Sequence, residues 1–173
     1  VSSFGPQLQK ISPFRATPVY IFNLVLLIIS TQSISFVFPQ NVHAVLFLAP
    51  LFYWIIQTPT MMPLWFVFLA GLTIDFGVGS ALGLHAFGFI LYYIVLYRSR
   101  RILLSQPFLY HMVVFLISAL GFEILRWSVM SILQLSFVDA YPFLLGFVLN
   151  IVFCAPIMLV LKLLHRLISS HGR

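Results

Sequence analysis

Three ionisable side chains, Asp75, Glu123 and Arg126, lie inside long apolar runs. At mid-membrane each such charge costs at least about 2.5 kcal/mol on insertion scales. Groups kept at that cost are the first candidates for chemistry. Glu123 and Arg126 are spaced i, i+3, which puts them on one face of a helix. Counted from the centres of their runs at about 1.5 Å per residue, Asp75 and Arg126 both fall roughly 6 Å outside the midplane. They are therefore expected to meet in a buried Asp75–Arg126–Glu123 cluster that holds the third and fifth apolar runs together. A proton path would need a ladder of further acids inside the spans, which the sequence does not supply. Ser80 and His85 lie near Asp75, but no nucleophile-elbow pattern surrounds the serine and nothing in the spacing fixes His85 opposite it. His43, His85, His111, His165 and His171 show no i, i+4 pairing and no nearby cysteine or carboxylate partner, so no metal site is expected. No catalytic residue and no cofactor is expected either.

The elements that must position these groups follow from composition. Only 7% of the residues are charged and 62% are apolar, with a mean hydropathy of +1.11. A soluble domain keeps roughly a quarter of its residues charged. Most of this chain must instead face lipid or other lipid-buried helices. The net charge of +6 and the pI near 9.9 invite a nucleic-acid reading. The basic residues, however, sit at the ends of apolar runs and are not interleaved with aromatics along a face, which excludes that reading. Cys154, the only cysteine, lies in an apolar run as a small packing residue.

Six apolar runs of helical length can be drawn: Pro18 to Phe38, Val42 to Gln57, Leu64 to Gly79, Ala81 to Tyr97, Pro107 to Phe137 and Tyr141 to Leu164. Pro50 should kink the second, and Pro63 suits the start of the third. With the N-terminus inside, Lys10, Arg15, Arg98, Arg100, Arg101, Lys162, Arg166 and Arg173 all fall on the cytoplasmic side. The outer loops near Pro39, Gly79 and Val138 carry no Lys or Arg, which is the positive-inside pattern. The expected fold is therefore an all-α integral membrane protein of about six transmembrane helices, with both ends in the cytoplasm. Residues 1–17 form a cytoplasmic N-terminal segment, 18–164 a single six-helix membrane domain and 165–173 a basic cytoplasmic tail. Val1 in place of Met fits a fragment, a processed chain or a GTG start codon read literally. No cleavable signal segment is evident. Tyr53, Trp54, Trp65, Tyr97, Tyr110 and Tyr141 lie near run ends, as interfacial anchors do.

The most patterned stretch runs from Gly71 to His85. Gly77, Gly79 and Gly83 permit a tight helical hairpin, and Gly79 and Gly83 also form a small-xxx-small spacing suited to close helix approach. It is not a phosphate-binding loop, since no Gly-Lys-Ser/Thr follows. Gly71, Asp75, Gly77-Val78-Gly79-Ser80 and Leu82-Gly83, with Pro63-Leu64-Trp65 upstream and Glu123 downstream, resemble the rod shape-determining protein MreD family. That resemblance implies a non-enzymatic scaffold of the bacterial inner membrane, part of the elongasome that supports rod shape and lateral peptidoglycan synthesis. It implies a bitopic MreC-like partner and, through it, MreB, RodA and a class B penicillin-binding protein. It also implies a fold similar to the substrate-binding subunits of energy-coupling-factor transporters. Such a small-solute-binding subunit is the alternative function. The basic cytoplasmic patches are suited to anionic lipid or an acidic partner surface. Gly71, Asp75, Gly77, Gly79, Leu82, Gly83, Glu123 and Arg126 are the expected structural or interaction residues.

Overall fold

A chain this apolar has to close its backbone hydrogen bonds within itself, and helices do so segment by segment. The computed structural model describes residues 13–31 and 44–170, with side chains for 19–31 and 44–166. The described residues form α1 (Pro13–Ser30), α2 (Leu48–Gln57), α3 (Leu64–Val78), α4 (Leu84–Leu104), α5 (Phe108–Leu133) and α6 (Tyr141–Ser170). A single 3-10 turn, Pro59–Met61, links α2 to α3. Two of these helices, α5 and α6 as far as Arg166, are long and apolar enough to cross a membrane. Shorter apolar helices cover Val19–Ser30, Leu48–Gln57 and Leu64–Val78.

Side chains are distributed inside out relative to a water-soluble bundle. On α5, Leu109, Val113, Ile117, Leu120 and Ile124 form an exposed stripe, whereas Phe115, Ala119, Phe122, Glu123 and Arg126 are buried. The same inversion holds on α1, where Ile21, Leu24, Val25 and Ile28 face out and Asn23 is buried. Contiguous apolar surface on this scale suits a hydrocarbon solvent and not water.

The centre of the bundle is α2, buried along nearly its whole length. A helix that is apolar all round is a core helix. It is only ten residues long, or about 15 Å. The segment before it, Ala44–Phe47, is buried but not helical. Irregular backbone is tolerated in such a setting only when protein covers it and supplies its hydrogen bonds. Here the Phe47 amide donates to Ser30 Oγ at 2.9 Å, and that hydroxyl donates to Leu26 O at 2.8 Å. The expected kink at Pro50 is absent because the helix starts at Leu48. Pro50 thus sits in the first turn, where its missing N–H has no intrahelical role. At the other end of α2, Arg100 donates from Nε to Ile56 O (2.6 Å) and from an Nη to Gln57 O (3.1 Å).

Several boundaries differ from the apolar runs: α1 starts at Pro13 and not Pro18, α2 at Leu48 and not Val42, and α4 at Leu84 and not Ala81. The fourth run was expected to stop at Arg98, yet α4 continues to Leu104, because arginine ends an apolar run without ending a helix. The fifth ends at Leu133, before Phe137, where Gln134 and a left-handed Leu135 (φ 50°) turn the chain. The sixth extends past Leu164 to Ser170, with Pro156 inside it. Residues 32–38 of the first run and 42–43 of the second lie outside the described residues, as do Lys10, Arg173, His43 and His171. Trp54 is a core residue, only 1% exposed, and not the interfacial anchor that its position implied. Trp65, Tyr97, Tyr110 and Tyr141 are exposed near helix ends.

Helices α3 and α4 form the tightest hairpin. A Cβ added at Gly71 would collide with the Ala86 backbone, standing 2.6 Å from its nitrogen and 2.9 Å from the His85 carbonyl carbon. At Gly121, on α5, nothing lies within 4 Å of an added Cβ. Gly71→Ala should therefore destabilise the protein by about 1–3 kcal/mol, as overpacking does. Gly121→Ala should be neutral or slightly stabilising. Unfolding of the two variants in mixed detergent micelles checks this, and equal stability of the two would refute the close approach.

Candidate functional site

Two buried polar clusters stand out against the apolar packing. The first is built by the turn that joins α3 to α4. Gly79 closes α3 in the left-handed conformation (φ 69°), with its amide and that of Ser80 both reaching Asp75 O. This is a glycine-terminated helix end, a position where a side chain would be strained. Gly83 opens α4, again at positive φ (92°). No side-chain atom crowds either glycine. Their role is conformational, and the small-xxx-small packing expected of the pair does not occur. Gly77 does make a close approach, since a Cβ there would lie 2.5 Å from Thr31 Cβ beside the end of α1.

Asp75, one turn before the end of α3, points its carboxylate at the start of α4. Oδ2 accepts from the Gly83 amide (2.9 Å) and at longer range from that of Ala86 (3.5 Å). Oδ1 accepts from the His85 amide (3.0 Å), Ser80 Oγ (2.9 Å) and His85 Nδ1 (2.7 Å). The carboxylate thus takes up amides that a helix start leaves without intrahelical partners. It also sits where the positive end of the α4 dipole favours an anion. Donation to a carboxylate places a proton on Nδ1 of His85. The ring itself is wholly buried, with Phe89 and Phe122 centroids 6.4 and 6.3 Å away.

Asp75, Ser80 and His85 are the three residue types of a hydrolytic relay, but their geometry differs from one. A relay needs the serine on one imidazole nitrogen and the carboxylate on the other. Here Ser80 Oγ, at 3.4 Å, and Asp75 both approach Nδ1. The hydroxyl donates directly to the carboxylate, so the trio works as a structural cap.

The second cluster joins α5 to α6. Arg126 Nη1 donates to Glu123 Oε2 at 2.7 Å, and Asn150 Nδ2 donates to Glu123 Oε1 at 3.3 Å. The guanidinium also lies 5.4 Å from the centroid of the Phe143 ring, within cation–π range. The expected Glu123–Arg126 pair is present, but Asp75 is not part of it. The single cluster expected across the third and fifth runs is two clusters, one in the α3–α4 hairpin and one between α5 and α6. Asn150 and His85 were not anticipated as partners. A neutral amide in an apolar run gives little signal, and the expectation that His85 has no nearby carboxylate partner is overturned by its 2.7 Å contact with Asp75. Leu82 lies exposed in the turn between α3 and α4. Cys154 is buried and unpaired with any other cysteine, as the single one must be. Among the described residues no group of three or more His, Cys, Asp or Glu stands close enough to hold a metal ion.

A third polar region lies at the opposite end of the bundle from the α3–α4 turn. There the end of α4 meets α2 through Arg100, and the end of α6 meets it through a Tyr53–His165 hydrogen bond of 3.2 Å. Arg98, Arg101, Lys162 and Arg166 are carried on these same two helix ends. The described basic residues of these two helices therefore gather at one end of the fold.

A family model described as rod shape-determining protein MreD matches residues 13–164, which include both buried clusters and all six helices apart from the end of α6. No curated protein and no solved structure matches the chain. The expected likeness to the substrate-binding subunits of energy-coupling-factor transporters is thus without support.

Breaking the Glu123–Arg126 pair of α5 from one side leaves a buried charge uncompensated, which typically costs about 3–5 kcal/mol. Glu123→Gln and Arg126→Met should each destabilise strongly, and the double variant should cost clearly less than their sum. Exchanging Asp75 and Arg126 as a pair should rescue nothing, since the two do not touch. A double-variant unfolding cycle in detergent micelles checks both statements, and additive losses at 123 and 126 would refute the pairing.

Proposed function

Because this chain belongs to the rod shape-determining protein MreD family, and so has a role in rod-shape determination, we propose that it acts there as a non-catalytic membrane scaffold of the elongasome. On this reading residues 18–164 form one six-helix membrane domain in the bacterial inner membrane. The short ends, 1–17 and 165–173, lie in the cytoplasm. A bitopic MreC-like protein is the direct partner, and through it the scaffold connects with MreB, RodA and a class B penicillin-binding protein.

The observation that carries this proposal is the family match over nearly the whole chain. The collection of Arg98, Arg100, Arg101, Lys162 and Arg166 at one end supports the orientation, since positive residues are retained on the cytoplasmic side. On that orientation the α3–α4 turn, with Asp75, lies at the outer end. An adaptor needs rigid helix faces and no reaction centre, and buried caps such as that of Asp75 supply rigidity. Gly71, Asp75, Gly77, Gly79, Leu82, Gly83, Glu123 and Arg126 act on this reading by fixing the shape of the outer hairpin and of the α5–α6 pair. A solute-binding subunit would instead need a polar cavity at the outer end. Among the described residues a cavity of about 330 Å³ lies instead at the basic end.

Depletion of this protein from a rod-shaped host should round the cells, and tagged protein should co-purify with the MreC-like partner. Cells that keep their rod shape while losing uptake of a vitamin would overturn the scaffold in favour of the transporter subunit.

A further inference from the structure

Beyond that role, we propose that the basic end of the bundle holds a specific site for one anionic phospholipid. Lys162, His165 and Arg166 are spaced i, i+3 and i+4 near the end of α6 and so share a face. That face, with the last turns of α2 and the first turns of α5, encloses a cavity of about 330 Å³. This lies at the lower end of the roughly 300–1,000 Å³ range typical of small-molecule sites.

The cavity has two chemically distinct parts. Its inner lining is apolar, from Phe52 and Ile56 of α2, Met112 of α5 and Met158 of α6. Phe52 is fixed there by an edge-on contact with Phe115, centroids 5.4 Å apart. One wall is His165, stacked on Trp54 (5.8 Å, 20°) and hydrogen-bonded to Tyr53. At its mouth stand Lys162 and Arg166, both exposed. The Lys162 ammonium lies 5.5 Å from the centroid of the Phe108 ring.

Charge decides what fits. The chain has only three acidic side chains. Asp75 is held in the α3–α4 turn, Glu123 pairs with Arg126, and Asp139 accepts from the Tyr141 amide at the far end of α6. None of them lines this cavity. Among the described residues its mouth is therefore net positive and its inner lining apolar, the complement of an amphiphile with an anionic head. The mouth borders surface that is itself apolar, with Phe108, Leu109 and Leu163 all exposed. Basic pockets between helices on the cytoplasmic side of a membrane suit phosphate-bearing head groups. The occupant we assign is a phospholipid with net negative charge: Lys162 and Arg166 hold its phosphate, and one acyl chain runs in along Ile56 and Met112. The cytoplasmic placement rests on the orientation proposed above, whereas lipid binding itself does not depend on the scaffold role.

The test is native mass spectrometry of the full-length protein released from detergent with phosphatidylglycerol, phosphatidylcholine or inorganic phosphate added. One phosphatidylglycerol should be retained at least about tenfold more strongly than phosphatidylcholine, as two near-surface cations warrant. Lys162→Ala with Arg166→Ala should abolish that preference, while Arg98→Ala with Arg101→Ala, at the same end but outside the cavity, should keep it. Met112→Trp, which fills the apolar lining and keeps both charges, should also lose the bound lipid. Equal retention of the two lipids, or retention unchanged in the Lys162/Arg166 variant, would overturn the site. Displacement of the lipid by inorganic phosphate alone, or binding of an acidic Glu/Leu peptide without any preference for phosphatidylglycerol, would overturn the lipid as its occupant. A scaffold that fails in cells but still shows this selectivity in the spectrometer would leave the lipid site standing.

Discussion

A carboxylate buried in an apolar bundle persists only if both of its oxygens are met, and at Asp75 the start of α4 meets them. The amides of Gly83 and His85, the hydroxyl of Ser80 and the imidazole of His85 converge on one group. A single side chain thereby relieves the unsatisfied donors of one helix and fixes its angle to the helix that carries the aspartate. Everything else about the hairpin follows from that angle. Gly71 must lack a side chain because the two backbones come so close, and Gly79 and Gly83 must adopt positive φ because the turn is so short. In lipid there is no water to substitute for these partners, so the arrangement is held as a whole or lost as a whole.

The same logic recurs with the opposite sign at the other end. Arg100 of α4 donates to the last carbonyls of α2, so that one helix receives an anion at its start and supplies a cation near its finish. Charges placed this way on helix ends are worth about 0.3–1 kcal/mol at exposed sites and up to ~2 kcal/mol when partly buried. Between the two ends, Glu123, Arg126 and Asn150 tie α5 to α6. The buried polar groups act as fasteners at three separate places in a bundle whose outside is almost wholly apolar. That division of labour suits a protein whose part in rod-shape determination we take to be the holding of partners.

Much of this fold was legible from residue order, and what was not has a consistent physical cause. Pro63, Pro107 and Tyr141 mark the starts of α3, α5 and α6, because proline and turn residues act locally. The Gly77–Gly83 turn was legible for the same reason. The depths of Asp75 and Arg126 could be counted along their helices. Depth does not give rotation about the helix axis, and Asp75 faces α4, leaving Arg126 to Glu123 and Asn150. Rotation depends on which neighbour packs where, and apolar runs that are hydrophobic on every side carry little record of that. Burial of Trp54 and α2 at the centre was hidden likewise, since lipid-facing and protein-facing apolar residues look alike in sequence.

The Asp75 carboxylate, and not the apolar packing around it, holds the start of α4. Amide hydrogen exchange of the full-length protein in detergent micelles, followed at Gly83, His85 and Ala86, tests it most directly. Asp75→Asn should accelerate exchange at these amides by about tenfold or more, a local opening, while Phe115 to Phe122 of α5 keep their protection. Unchanged protection at all three amides in the variant would contradict it.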